Sequence, residues 1–109
     1  MFPYWELRIR RSFRLMTLVG KGLLSNFAQQ HANARDAVAA WAREVEAATW
    51  RSPADVKARF RSVSVISADR LVFNLKGNLF RLDAQVNYSA QIVLVQRIGT
   101  HAEYDSWTF

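Results

Sequence analysis

A period-two alternation from Phe80 to Tyr88 limits what this chain can fold into more than any other feature. Phe80, Leu82, Ala84, Val86 and Tyr88 alternate with Arg81, Asp83, Gln85 and Asn87. Successive side chains of a strand point to opposite faces, so the segment reads as a strand with one apolar and one polar face. Arg81 is then expected among polar neighbours and away from the core. The apolar run Leu71–Leu75 precedes this strand, and Lys76-Gly77-Asn78 between them predicts a hairpin turn. Ser89-Ala90 predicts a second turn. Gln91–Ile98 follows with Ile92, Val93, Leu94 and Val95 in a row, the pattern of a central strand buried on both faces. Upstream, Ser62–Ser67 alternates with Val63 and Val65 on one face, and Ala68-Asp69-Arg70 turns it into the Leu71–Leu75 run.

The first half has a helical period. Leu23, Leu24, Phe27, Ala28 and His31 predict a helix over 22–31. The stripe Ala34, Ala37, Val38, Trp41, Val45 and Ala48 predicts a second, with Asn33 as its cap. Two helices with a short link form an antiparallel hairpin that can cover a sheet. His31 falls on the inner edge of the first and reads as a packed residue. Ser52-Pro53-Ala54-Asp55 starts a short basic helix over 53–60, and Phe13–Val19 reads as an edge strand. These elements predict an α+β domain over 13–109: an N-terminal helical hairpin on a mainly antiparallel sheet of four to five strands, with a short C-terminal helix. Residues 1–12, with Phe2, Tyr4 and Trp5 among arginines, read as an arm or extension.

The chain has no cysteine and two histidines among 109 residues. A disulfide scaffold and thiolate zinc sites are excluded, and neither a metal nor a cofactor is expected. No apolar run reaches the length of a membrane span, and no signal peptide is recognised at the start. The expected location is cytoplasmic, with no membrane partner.

The net charge of +6 is unevenly placed. Residues 1–14 hold four arginines against Glu6, and residues 51–61 hold Arg51, Lys57, Arg59 and Arg61 against Asp55. Each stretch therefore carries +3, and the rest of the chain is neutral. Two basic patches suit a polyanion, although a short patch taken alone is equally a solvated surface.

The end of the strand region carries the chemistry. Gly99 breaks the last strand, and Thr100 stands three residues before Glu103, the spacing of a capping box. In a helix starting there, His101 lies on the same side as Tyr104 and Asp105. A histidine, a tyrosine and a carboxylate would gather just past a central strand.

Two segments, Asn74-Leu75-Lys76-Gly77-Asn78-Leu79-Phe80-Arg81-Leu82 and Arg97-Ile98-Gly99-Thr100-His101-Ala102-Glu103-Tyr104-Asp105, resemble the HigB-type toxins of bacterial type II toxin–antitoxin modules. The pattern is N-x-x-G-N-x-x-R-L followed, after a strand pair, by T-H-x-E-Y-D. The Ala-rich helix with Trp41 and the basic helix after Ser52 fit as well, so the likeness spans about Arg14 to Asp105. Residues 1–12 have no counterpart in it. The resemblance implies a RelE-like fold and a ribosome-dependent mRNA endonuclease, an mRNA interferase that inhibits translation. It also implies neutralisation by a HigA-type antitoxin with a helix-turn-helix domain, and no direct DNA binding by this chain alone.

The residues can support metal-independent RNA cleavage, which needs a base, an acid and positive charge near the phosphate. His101 is the natural proton carrier, since an imidazole changes charge near neutral pH. Tyr104 can orient the nucleophile, stack on a base or act as an acid, and Asp105 can hold the imidazole tautomer. The sequence leaves the three roles interchangeable. Arg81 is the expected phosphate ligand, because its fork binds two oxygens at once. Lys57, Arg59, Arg61, Lys76, Asn78 and Arg97 are expected to contact RNA. Plainer readings stand beside these: Glu103 as capping partner, Asn78 as turn residue, Tyr104 as core, Asp105 as a salt-bridge partner. A non-catalytic RNA- or ribosome-binding regulator of the same fold would need the basic patches but not His101.

Overall fold

The computed structural model describes residues 14–109; the proposed arm at 1–12 and the start of the expected first strand at Phe13 lie outside the described residues. The elements follow in the order β1 (Thr17–Val19), α1 (Lys21–Gln30), a 3-10 turn (Ala32–Ala34), α2 (Arg35–Glu46), α3 (Pro53–Arg59), β2 (Ser64–Val65), β3 (Arg70–Leu75), β4 (Phe80–Asn87), β5 (Ile92–Thr100) and α4 (His101–Tyr104). The five strands form one sheet in the order β1-β5-β4-β3-β2. All pairings are antiparallel except β1 with β5. This is the expected α+β architecture, with a helical hairpin against a mainly antiparallel sheet.

The apolar sets named by period meet in one core. Leu24 and Phe27 of α1 and Val38, Trp41 and Val45 of α2 pack with Leu71, Phe73, Phe80, Leu82, Ala84, Val86, Val93 and Val95 of the sheet. Phe73 stands edge-on to both Trp41 and Phe60, with centroids 5.3 and 5.1 Å away. Such edge-to-face pairs add to the burial of their area. His31 is half-buried and stacks on Phe27 at 4.3 Å, as its place on the inner edge suggested.

Several local expectations are corrected. The polar face of β4 is wet at Gln85 and Asn87, as expected, but not at its start: Arg81 is 9% exposed and Asp83 is fully buried, because α4 and the residues after it fold across that part of the face. The central strand β5 is buried on one face through Val93 and Val95, while Ile92 and Leu94 are only half-buried. Val63 is buried but Val65, on the two-residue strand β2, is 45% exposed. The β3–β4 turn puts Lys76 and Gly77, rather than Gly77 and Asn78, in the left-handed region. The Ser52 and Asn33 side chains do not cap helices. The carboxylate of Asp55 instead accepts from the backbone N–H of Arg51 at 2.9 Å, and Asn33 lies inside the 3-10 turn. Among the described residues no helix is long and apolar enough to cross a membrane.

Candidate active site

The end of the sheet where β3 turns into β4 and β5 passes into α4 collects the polar residues singled out above. Leu75 pairs with Phe80, and Phe80 pairs with Thr100 on the other side, so the hairpin tip and the start of α4 are neighbours. The backbone N–H of His101 donates to the carbonyl of Leu79 at 3.0 Å and ties the two together.

The helix α4 is only four residues long and depends on its cap. The Thr100 hydroxyl accepts from the Glu103 N–H at 3.2 Å, and the Glu103 carboxylate accepts from the Thr100 N–H at 2.9 Å. The expected capping box is present in both directions. Its hydrogen bonds hold the Glu103 carboxyl below the ordinary carboxylate range, the Thr100 amide contributing most and the Thr100 hydroxyl next; a smaller pull comes from the His31 imidazole. A depressed carboxyl stabilises the fold at pH above its ordinary value, and that contribution is lost as pH falls through the lowered one. The α4 turn is therefore expected to loosen in acid.

Thr100→Ala is expected to cost about 1 kcal/mol, the usual worth of such a cap. It should also deprotect the Glu103 amide in native-state hydrogen exchange. Unchanged exchange at that amide would show that the cap does not hold α4.

The helix turns its side chains into two pairs. The Nδ1 of His101 lies 3.6 Å from the Asp105 carboxylate, both groups being exposed. The Arg81 guanidinium lies over the Tyr104 ring, 5.1 Å from its centroid. Arg81 also donates from Nη1 to the carbonyl of Asn78 at 2.8 Å, so the turn residue fixes the arginine through its backbone. His101, Asp105, Tyr104 and Arg81 thus meet at one end of the sheet.

The other residues expected to contact RNA divide into three groups. Lys76 and Asn78 belong to the same end; the Lys76 ammonium donates to the carbonyl of Asn33 at 3.0 Å and pins the hairpin tip to the 3-10 turn. Arg61 is exposed beside Ser62, whose carbonyl accepts from the Asn74 side chain at 3.0 Å. Asn74 pairs with Arg81 across the strands, so Arg61 flanks the same rim. Lys57, Arg59 and Arg97 are engaged elsewhere. Lys57 donates to the carbonyl of Val63 at 3.4 Å. Arg59 is paired with Glu44, which raises the arginine's pKa. Arg97 donates to Asp83 at 2.8 Å and to the carbonyl of Thr108 at 2.8 Å.

Sequence reasoning missed the group under Arg97. The fully buried carboxylate of Asp83 accepts two bonds from Arg70, both at 2.7 Å, and one from Arg97. The carboxylate raises the pKa of Arg70 through these bonds. A β-bulge between Asp83 and Ala84 in the β4–β5 register brings Arg97 opposite Asp83. Three charged residues at positions 70, 83 and 97 carry no local spacing signal; only the strand register unites them.

A five-stranded mixed sheet covered by a helical hairpin, with a capped helical turn carrying histidine, tyrosine and aspartate at its end, is an architecture consistent with the RelE-like toxins. The family model for the HigB toxin, the RelE-like toxic component of a toxin–antitoxin system, matches residues 34–107, and the chain belongs to this family. The match spans α2 through α4, including both quoted motifs. No curated protein matches the chain. Membership makes the protein a toxin-type component, and it implies an antitoxin as partner.

Proposed function

We propose that this toxin is a metal-independent endoribonuclease that cuts mRNA on the translating ribosome. The observation that carries the reading is the meeting of His101, Asp105, Tyr104 and Arg81 at one end of the sheet. In the reaction the 2′-OH attacks the adjacent phosphate and the 5′-oxygen leaves, giving a 2′,3′-cyclic phosphate and a 5′-hydroxyl. His101 moves the proton, with Asp105 holding its ring. Tyr104 orients the reacting nucleotide, and Arg81 binds the phosphate oxygens where negative charge develops. Arg61 holds the flanking backbone through salt-sensitive contacts. Lys76, Lys57, Arg59 and Arg97 can join only by exchanging the bonds they now make. The toxin acts in the cytoplasm, binds no DNA by itself, and is neutralised by a cognate HigA-type antitoxin.

Brief induction without antitoxin, followed by primer extension on cellular mRNA, tests the reading. New 5′ ends inside translated codons are expected. Blocked translation with no new ends would replace the enzyme by a non-catalytic ribosome-binding regulator.

A further inference from the structure

The residues after α4 do more than end the chain's last turn. Tyr104 stands edge-on to Trp107 with centroids 5.5 Å apart. The Trp107 ring lies 4.6 Å from the Arg97 guanidinium. Arg97 in turn lies 5.0 Å from the Phe109 ring, and Phe109 lies 5.6 Å from the Arg70 guanidinium. With Arg81 on Tyr104 at 5.1 Å, Arg81, Tyr104, Trp107, Arg97, Phe109 and Arg70 form a continuous series of cations and rings, in which Tyr104 and Trp107 are the one ring-on-ring step.

The series runs across the sheet face opposite the helical hairpin. Arg81 stands opposite Gly99, and Arg70 stands opposite Gln85, four residues further along β4. At ~3.3 Å per residue the track is ~13 Å long. Gly99 makes room for it: a Cβ there would come within 3.0 Å of the Trp107 ring.

The guanidinium groups of Arg70 and Arg97 are fixed from below by Asp83, so the rings above them are held in place. Arg70, Arg97 and Arg81 together outnumber the Asp83 carboxylate and leave the track cationic. Phe109 is nevertheless 56% exposed. A ring serving only as a lid would be sequestered; this one rests on two guanidiniums and keeps surface open to solvent. Rings fixed on a cationic track match single-stranded nucleic acid, whose bases stack on aromatics while its phosphates meet arginine.

We infer that this face is a docking track for single-stranded RNA, with bases stacking on Trp107 and Phe109 next to the phosphate at Arg81. The inference rests on the RNA-cutting reading for its direction, because the track begins at the proposed site. It adds a binding surface that the cleaving residues do not require.

Fluorescence anisotropy of a labelled uridine hexamer on the purified full chain tests it. Phe109→Leu keeps an apolar cover but removes the π-face, whereas Phe109→Tyr keeps both. Loss of one stacked base corresponds to roughly a tenfold weaker Kd, expected for Phe109→Leu and Phe109→Ala with unchanged melting temperature. Phe109→Tyr should bind as the wild type does. A hexamer paired with its complement should compete poorly. Equal binding by Phe109→Leu and the wild type, or no binding by the wild type, would overturn the track. So would a loss of binding that appears only with a fall in melting temperature, which marks a structural clasp. Anisotropy needs no cleavage, so a protein that binds the hexamer but makes no new mRNA ends loses the nuclease reading and keeps the track.

Discussion

Asp83→Ala is expected to destabilise the domain by about 3–5 kcal/mol, the cost of removing one partner from a buried ion pair. The carboxylate is fully buried and receives three hydrogen bonds, two from Arg70 and one from Arg97. Their side chains are only about a third exposed, at 29% and 32%, so water cannot fully replace the lost acceptor. A domain of this size is typically stable by about 5–15 kcal/mol, so a large part of the total is at stake. A melting temperature roughly 15 °C lower than that of the wild type should report it. A triple variant, Arg70→Met, Asp83→Leu, Arg97→Met, separates an unpaired charge from lost packing. Replacing a whole buried ionic group by apolar residues is often neutral, so the triple variant should melt well above Asp83→Ala. A triple variant as unstable as the single one would show that the face is held by something other than charge pairing.

The same group marks where the sequence stops being readable. Alternation in β4 named the apolar set correctly, since Leu82, Ala84 and Val86 are all in the core. It predicted a wet face for Arg81, Asp83, Gln85 and Asn87, as a half-buried strand ordinarily turns its polar residues to water; Gln85 and Asn87 are exposed, but Arg81 and Asp83 are buried. Whether a face is covered depends on segments remote in sequence, here residues 101–109. The helical stripes and the β3–β4 hairpin were legible for the opposite reason, since period and turn chemistry are local. Ser52 takes the N-cap position as expected but makes no side-chain bond there, and Asn33 falls inside the 3-10 turn; a residue type favours a cap without compelling one, and Asp55 satisfies a backbone donor instead.

The candidate site was legible where it lies within five residues of the chain. Thr100, His101, Glu103, Tyr104 and Asp105 follow from capping and helix geometry, and the structure carries the capping box in full. The closeness of Arg81 to Tyr104 was not derivable from spacing; it needs the pairing of β4 with β5. Charge counting also overstated the free cations. Arg59 and Arg97 belong to ion pairs, and a basic patch in sequence does not reveal which of its members are already neutralised. Trp107 and Phe109 carried no signal, since five residues after a short helix have no period to read.

His101→Ala is expected to lower the rate of mRNA cleavage about 10²–10⁴-fold, the usual contribution of one general acid or base. The imidazole is well placed for this and poorly placed for a structural role. Its side chain is 54% exposed, and the ion pair it makes among the described residues is with Asp105 at 3.6 Å on the next turn. Truncating it should therefore leave the unfolding free energy within about 0.5 kcal/mol of the wild type, as for an ordinary surface substitution. The backbone N–H that anchors α4 to Leu79 survives the change, so α4 keeps its position. Single-turnover cleavage on programmed ribosomes with saturating toxin reads the chemical step apart from binding. The loss should appear there, with Kd for the ribosome unchanged. Asp105→Asn keeps the shape but removes the charge facing the imidazole, and it should cost less than His101→Ala. Full cleavage by His101→Ala would move the proton carrier to Tyr104 and leave Arg81 as the common element of the site. A loss confined to ribosome binding would make the histidine a contact residue and return the choice to a toxin that blocks translation without cutting.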